Sequence, residues 1–203
     1  YYPGKIVSDN TRNTQMSKLR KWFGKTAEGD DFLPRYAAQV RYRFHPDVTS
    51  DWDRWQQLLP EGPAGAATSD IEAALRLVRG QPFAGVPARR YSWTETLKQQ
   101  MIAAIIDAAY ELTRRQLIDG RWLAAESTAL IGLRVEPGVE ALWRMRLISI
   151  HARGNSEELE RVTDQLLTLA EDWGGDLEPE TEELLEQLSN DTAVSRIIAA
   201  GNH

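Results

Sequence analysis

Cysteine is absent from this 203-residue chain, and histidine occurs only three times. Without cysteine the chain has no disulfide, no thiol nucleophile and no zinc–thiolate site. The histidines, His45, His151 and His203, do not stand at the i, i+4 spacing from a second ligand residue that helical metal sites use. A phosphate-binding glycine loop and a nucleophile elbow are missing as well. The sequence therefore predicts a protein that is not an enzyme and that carries no metal and no cofactor.

Long apolar runs are missing too. The longest one, residues 101–106, is far shorter than the roughly 20 residues that a helix needs to cross a bilayer. No secretory signal is visible at the N-terminus. We therefore predict no membrane segment in this chain and, because cysteine is absent, a cytoplasmic protein. The chain begins with Tyr1 rather than Met, which suggests a piece of a longer protein.

Charge is distributed unevenly along the chain, whose net charge is −6. Residues 1–25 hold six Lys or Arg against one acid, whereas residues 154–203 hold two Arg against thirteen acids. Such an asymmetry is typical of a protein with one end that faces nucleic acid and one acidic end. For the acidic end, the alternative is a helical surface that simply faces solvent.

Four helical patterns with short breaks fill residues 94–173. Gly120 and Gly154 lie in alternate breaks and are 34 residues apart, which is the period of tetratricopeptide helix pairs. One helix pair cannot bury its apolar stripe alone, so stacked pairs share a core. We also predict helices over residues 50–59 and 68–79 and a capping helix over residues 178–188. For the helix over residues 121–133, apolar spacing predicts an inward face of Leu123, Ala124, Ser127, Leu130 and Ile131.

A further helix is predicted over residues 8–24, with Ser8 or Asp9 as its cap and Gly24 at its end. Met16, Leu19 and Phe23 fall on one face of it. The opposite side carries amide, hydroxyl and basic side chains, namely Asn10, Asn13, Thr14, Ser17, Lys21 and, at the border, Arg20. Such side chains are suited to contacts with base edges and phosphates, and an ordinary solvated helix face is the alternative.

Two short strands are predicted next, over residues 32–36 and 39–45. In the second strand, apolar residues alternate with Arg41, Arg43 and His45, so that one face is basic. A helix followed by a basic hairpin is the second half of a winged helix.

Several stretches resemble a known family. The run TRNTQMSKLRKWFG and a hairpin ending in YRF resemble the recognition helix and wing of response-regulator-type DNA-binding domains. The runs DVTSDWDRWQQLL, LTRRQLIDGRWLAAESTALIGLRVEP and EDWGGDLEPETEELLEQL are similar to the bacterial transcriptional activator domain of Streptomyces antibiotic regulatory proteins. The resemblance implies a mainly α fold, in which a tetratricopeptide-like helical repeat domain follows a partial winged helix of one helix and a β-hairpin. The implied division is 1–46 for the winged-helix part, 47–189 for the activator domain and 190–203 for a tail.

Two functions remain open. The resemblance implies the regulatory region of a bacterial transcription regulator that binds double-stranded DNA and contacts a protein, such as RNA polymerase or a second subunit in a homodimer. The alternative is a protein-interaction module whose degenerate winged helix does not bind DNA. Arg12 favours the alternative, because it shares the face of Met16 and Leu19 where the family has an apolar residue. Trp122 and Trp143 are the candidate protein-binding aromatics, with burial in the core as the other interpretation.

Overall fold

The computed structural model describes residues 8–35, 43–87 and 92–200 of the chain. These residues form eight α-helices and no β-strand, which confirms the mainly α prediction. The helices are α1 (Asp9–Phe23), α2 (Asp51–Leu58), α3 (Thr68–Leu75), α4 (Thr94–Ile118), α5 (Trp122–Val135), α6 (Glu140–Ala152), α7 (Ser156–Trp173) and α8 (Pro179–Ala200).

Local signals explain several helix ends. Ser50 and Asp53 form a capping box at the start of α2, in which each side chain accepts from the other residue's backbone N–H. Gly120 and Gly154 follow α4 and α6 with φ angles of 68° and 70°. This left-handed conformation suits glycine and lets the chain reverse direction within a few residues. Gly120 and Gly154, whose spacing predicts the repeat, therefore lie in the turns between consecutive helices.

The predicted β-hairpin is not seen in the described residues. Residues 32–35 and 43–45 have no strand conformation, and residues 36–42 lie outside the described part. One backbone hydrogen bond of 2.9 Å joins the two segments, from the N–H of His45 to the carbonyl of Phe32. Pro34 has no N–H to donate to a ladder, and the carbonyl of Leu33 accepts instead from the side chain of Arg20. The strand conformation predicted for residues 32–35 and 43–45 is therefore not found, and the rest of the predicted hairpin lies outside the described residues.

The helices from α2 onward pack around one core. Each helix from α2 to α6 contacts the next helix, and α4 also contacts α6, which in turn contacts both α7 and α8. The core is built from fully buried apolar side chains on successive helices, among them Ile71, Leu112, Leu142, Ile150 and Leu166. Helix α6 is therefore central to the fold, because it contacts α4, α5, α7 and α8.

The buried face of α5 differs from the predicted one. Leu123 is 63% exposed, whereas Ala125, Ala129 and Gly132 are buried. A Cβ on Gly132 would lie 2.4 Å from Cδ1 of Leu142, so α5 approaches its neighbours too closely for larger side chains. Close helix packing selects small residues at this contact, while the large side chains of Leu133 and Val135 are buried near the C-terminal end of α5.

An arginine on α4 fixes the loop between α2 and α3. Arg115 donates from Nη1 to the carbonyl of Ala66 (2.8 Å) and from Nη2 to that of Ala64 (3.0 Å), while its Nε donates to Glu111 (2.7 Å). The pKa of Glu111 is lowered to about 2, mainly by the hydrogen bonds from Arg114 and further by those from Arg115, against the opposing effect of burial. The loop therefore takes its position from α4.

The structure also changes the predicted C-terminal end. Helix α8 runs without interruption from Pro179 to Ala200, across the predicted start of a tail at residue 190. Neither glycine nor proline occurs between residues 180 and 200, so nothing in the local sequence ends the helix where the family resemblance places its boundary.

Candidate functional site

The predicted DNA-facing residues lie on α1. Five of them share one solvent-exposed face, namely Asn10, Asn13, Thr14, Ser17 and Lys21. Arg20 is only partly exposed, because its Nε donates to the carbonyl of Leu33 at 2.9 Å. The structure therefore brings five of the six α1 candidates together, and it uses the sixth to hold the loop that follows α1.

Arg12 does not lie in an apolar core. It is exposed, and its Nη2 lies 2.7 Å from Oδ1 of Asp9 one turn earlier. Of the predicted apolar stripe, Met16 and Phe23 are half-buried, while Leu19 is 42% exposed. The guanidinium of Arg12 thus pairs with Asp9 while it stays exposed to solvent. The desolvation cost that a buried arginine would carry therefore does not arise.

An exposed apolar edge runs along α1 beside the polar face. Trp22 is 78% exposed and Phe44 is 50% exposed. The ring of Phe23 lies between them, with centroids 4.8 Å from Trp22 and 4.9 Å from Phe44. Sequence patterning missed Trp22 because it falls between the apolar stripe and the polar face.

Of the two predicted wing arginines, the structure describes one. Arg43 is described and exposed, and it precedes Phe44, which contacts α1. Arg41 lies outside the described residues. Arg43 therefore lies on an irregular segment rather than on a strand.

The predicted protein-binding tryptophans are not both at the surface. Trp143 is only 6% exposed, its Nε1 donates to the carbonyl of Pro137 at 2.8 Å, and the guanidinium of Arg146 lies 5.4 Å from its ring. The core interpretation therefore holds for Trp143. Trp122 is half-buried at the start of α5, with its ring beside the turn at Gly120.

A groove of about 380 Å³ lies between α4, α6 and α8. We call it the α4/α6/α8 groove; its lining residues are Tyr110, Ala141, Arg144, Met145, Ile148, Glu180, Glu183, Leu184 and Gln187. Tyr110 and Ile148 are 42% and 37% exposed, so both large side chains present apolar surface within this groove. Exposed apolar side chains in a concave surface are typical of sites that bind a partner.

The groove has an acidic margin. Glu180 and Glu183 project from α8, and both are exposed. The basic lining residue, Arg144, already donates from Nη1 to Glu178 at 2.5 Å and to Thr181 at 2.8 Å. Because this guanidinium is neutralised by its own acid, the carboxylates on α8 dominate the charge of the groove.

A buried ionic cluster ties three helices together on the other side of α6. Glu126 on α5 lies 3.7 Å from Nε of Arg146 and also accepts from Arg153, which in turn lies 3.2 Å from Glu158 on α7. Burial lowers the pKa of Arg146, and the negative charge of Glu126 opposes that effect. The two carboxylates and the two guanidinium groups balance in charge, so the cluster orients the helices, and Nε of Arg146 and Nε of Arg153 are buried there without a hydrogen-bond partner among the described residues.

Metal and membrane sites are not found in the part of the chain that the structure describes. Nowhere in it do three His, Asp or Glu side chains come together as a metal site would require. His151 lies 3.6 Å from Asp191 as a simple pair between α6 and α8, and His203 lies outside the described residues. Among the described helices, none combines the length and the apolar character needed to cross a bilayer.

Comparison of the chain with protein-family models, with curated proteins and with solved structures gives no match, so its likeness to bacterial transcriptional activator domains remains a prediction from the residues quoted above.

Proposed function

We propose that the chain is the regulatory region of a bacterial transcription regulator, which acts by binding double-stranded DNA and by contacting a protein, without chemistry of its own. The observation that carries the proposal is the exposed polar face of α1. Its amide, hydroxyl and ammonium groups are the ones that recognise base edges and phosphates in the major groove.

The electrostatics of α1 and its surroundings support the same proposal. Residues 1–25 carry six basic side chains against one acid, and Arg43, which precedes the α1-contacting Phe44, is another exposed cation. Phosphate contacts release counterions, so the affinity for DNA is expected to fall steeply with salt. Arg20 plays an indirect part here, since it positions the residues after α1 rather than reaching the nucleic acid.

The helical part has the second role in this proposal. Consecutive helix pairs, with α4, α6 and α8 lining one groove, are the arrangement expected of a tetratricopeptide-like stack, in which the helices of one layer line a binding surface. RNA polymerase or a second copy of the chain in a homodimer is the proposed partner of that surface. The proposed location is the cytoplasm.

The DNA proposal is tested by fluorescence anisotropy with a mixed-sequence duplex over a range of salt concentrations. Lys21→Ala is expected to weaken binding for every sequence and to reduce the slope of log Kd against log salt by about 1. Arg134→Ala, which removes an exposed charge from α5, is the matched control and should leave the slope unchanged. No binding of the unaltered chain at low salt would reject the DNA proposal.

A protein-interaction module without DNA binding is the second candidate, and the α4/α6/α8 groove favours it. Its apolar floor and acidic margin fit a basic amphipathic helix from a partner, because such a helix presents both apolar side chains and cations. Ile148→Asp is expected to weaken binding of a synthetic Lys- and Leu-rich helical peptide at least tenfold. Leu167→Asp changes a similarly exposed residue on α7, and it should have no effect.

A further inference from the structure

A second concavity, of about 380 Å³, lies between α2, the segment that follows α3, and α4. We call it the α2/α4 pocket and define it by Trp52, Trp55, Phe83, Ala84, Met101 and Ile105. It is separate from the α4/α6/α8 groove, with which it shares no lining residue. Its volume falls in the range of pockets that hold small organic molecules.

Aromatic and sulfur-containing side chains form its walls. The rings of Trp52 and Trp55 stack with centroids 6.1 Å apart and planes at 21°. Trp55 is held in the core at 5% exposure, so the ring pair has a fixed position. Met101 from α4 contributes a flexible, polarisable side chain to the same pocket. Flat ring faces beside a thioether are well suited to a flat apolar ligand.

The backbone at Phe83 is strained. Its φ of 55° makes it the one non-glycine residue with positive φ in the described part of the chain. A large residue in this conformation costs about 1–2 kcal/mol, and glycine would avoid the cost. Tight turns hold it there, with the N–H of Ala84 bonded to the carbonyl of Gln81 and that of Val86 to Phe83. The chain thus keeps a strained phenylalanine at this position, and this residue forms part of the pocket wall.

The mouth of the pocket carries no net charge. Asp51 and Arg79 both line it, with Oδ2 and Nη2 3.9 Å apart, which is too long for a hydrogen bond. Both side chains are mostly exposed, so each is free to meet one polar group of a ligand. A ligand with a single polar group of either sign is therefore compatible with the mouth, while its body must be apolar.

We propose that the α2/α4 pocket binds a small, flat, largely apolar organic molecule. The ring system lies against Trp52 and Phe83, and its one polar group lies at the mouth between Asp51 and Arg79. Binding bridges the segment after α3 to both α2 and α4, so it stabilises the folded chain. The proposal is independent of DNA binding, because α1 contributes nothing to the pocket.

Two fluorescent probes test it on the whole chain: 1-anilinonaphthalene-8-sulfonate, which is flat and anionic, and Nile red, which is flat and neutral. Both are expected to bind with one site per chain, to compete with each other and to raise the Tm. Ala84→Phe fills the pocket from the segment after α3 and should raise the Kd of both probes at least tenfold. Ala103→Phe places the same ring on an exposed position of α4 outside the pocket, and it should leave both Kd values unchanged.

Phe83→Asn separates ligand binding from folding. Asparagine tolerates positive φ better than phenylalanine, so the Tm should change little while the Kd of both probes rises at least fivefold. Several probe molecules per chain, or equal effects of Ala84→Phe and Ala103→Phe, would mean adsorption to general apolar surface and would overturn the proposal. Binding of the anionic probe alone, abolished by Arg79→Ala, would reduce it to a surface ion pair and would overturn it as well.

Discussion

Adding one methyl group at Gly132 is expected to destabilise the protein, although alanine is a better helix former than glycine. A Cβ at this position of α5 lies 2.4 Å from Cδ1 of Leu142 and 3.0 Å from Cβ of Ala109. Apolar carbons rest about 3.5–4.0 Å apart, and both neighbours are fully buried, so neither has space to move aside. The substitution therefore tests the close contact of α5 with α4 and α6.

The two opposing effects have known sizes. Replacing glycine by alanine inside a helix gains about 1 kcal/mol, and overpacking a core costs about 1–3 kcal/mol. Because the overlap with Leu142 is more than an ångström, we expect the upper part of that cost and a net loss of about 1–2 kcal/mol. In a chain of this size each kcal/mol lowers the Tm by about 2–4 °C.

Urea unfolding followed by circular dichroism measures this loss for Gly132→Ala. Gly65→Ala is the matched control, since Gly65 has no positive φ and no atom within 4 Å of an added Cβ; its stability should be unchanged or slightly higher. The double variant Gly132→Ala with Leu142→Ala should cost less than the sum of the two single changes, because the second removes the overlapping methyl group. If Gly132→Ala is more stable than the unaltered chain, the close approach of α5 is refuted.

Three further predictions concern charged groups and use the same unfolding assay. Glu126→Gln should cost about 3 kcal/mol, since it leaves the buried guanidinium of Arg146 without its counterion, whereas Glu157→Gln on the surface of α7 should stay within about 0.5 kcal/mol; equal losses would show that the cluster is not a unit. Arg115→Lys should cost about 2 kcal/mol, because an ammonium group cannot reach the loop carbonyls and Glu111 together, while Arg114→Lys should cost little. The pKa of Glu111 is lowered from 4.5 to about 2, so its contribution to stability is complete above pH 4.5 and is lost as the pH falls from 4.5 toward 2. We expect a loss on the order of 1 kcal/mol across that window, and Glu111→Gln should remove it; an unchanged pH profile for that variant would contradict the assignment.

Signals within a few residues made most helices predictable. The capping box of Ser50 and Asp53 and the left-handed glycines at Gly120 and Gly154 fix helix ends through contacts between near neighbours in the chain. Helix α4 ends at Ile118, two residues before Gly120, for the same reason. The full length of α8 could also have been predicted, because residues 180–200 contain no glycine or proline, and the predicted capping helix over residues 178–188 was too short.

Contacts between distant segments were harder to predict. Apolar periodicity points Leu123 inward because it weighs side-chain size, whereas the real α5 contact depends on how closely a neighbouring helix approaches Gly132. The α4/α6/α8 groove is lined by residues from three helices, among them Tyr110 and Ile148, and no single window of sequence contains all three. The positive φ of Phe83 breaks the usual residue preference, so no propensity signals it.

The two parts of the chain are stabilised in different ways, and this separates the two proposed activities. Helix α1 buries no side chain, and a helix of its length is marginal in water on its own. Its order depends on the Ser8 cap, on Arg20 bound to Leu33 and on Phe23 against Phe44. The groove and the pocket, by contrast, are built on helices whose core side chains are fully buried. Substitutions on the exposed face of α1 should therefore test the proposed DNA binding without disturbing the helical part, and loss of one proposed activity leaves the other open to measurement.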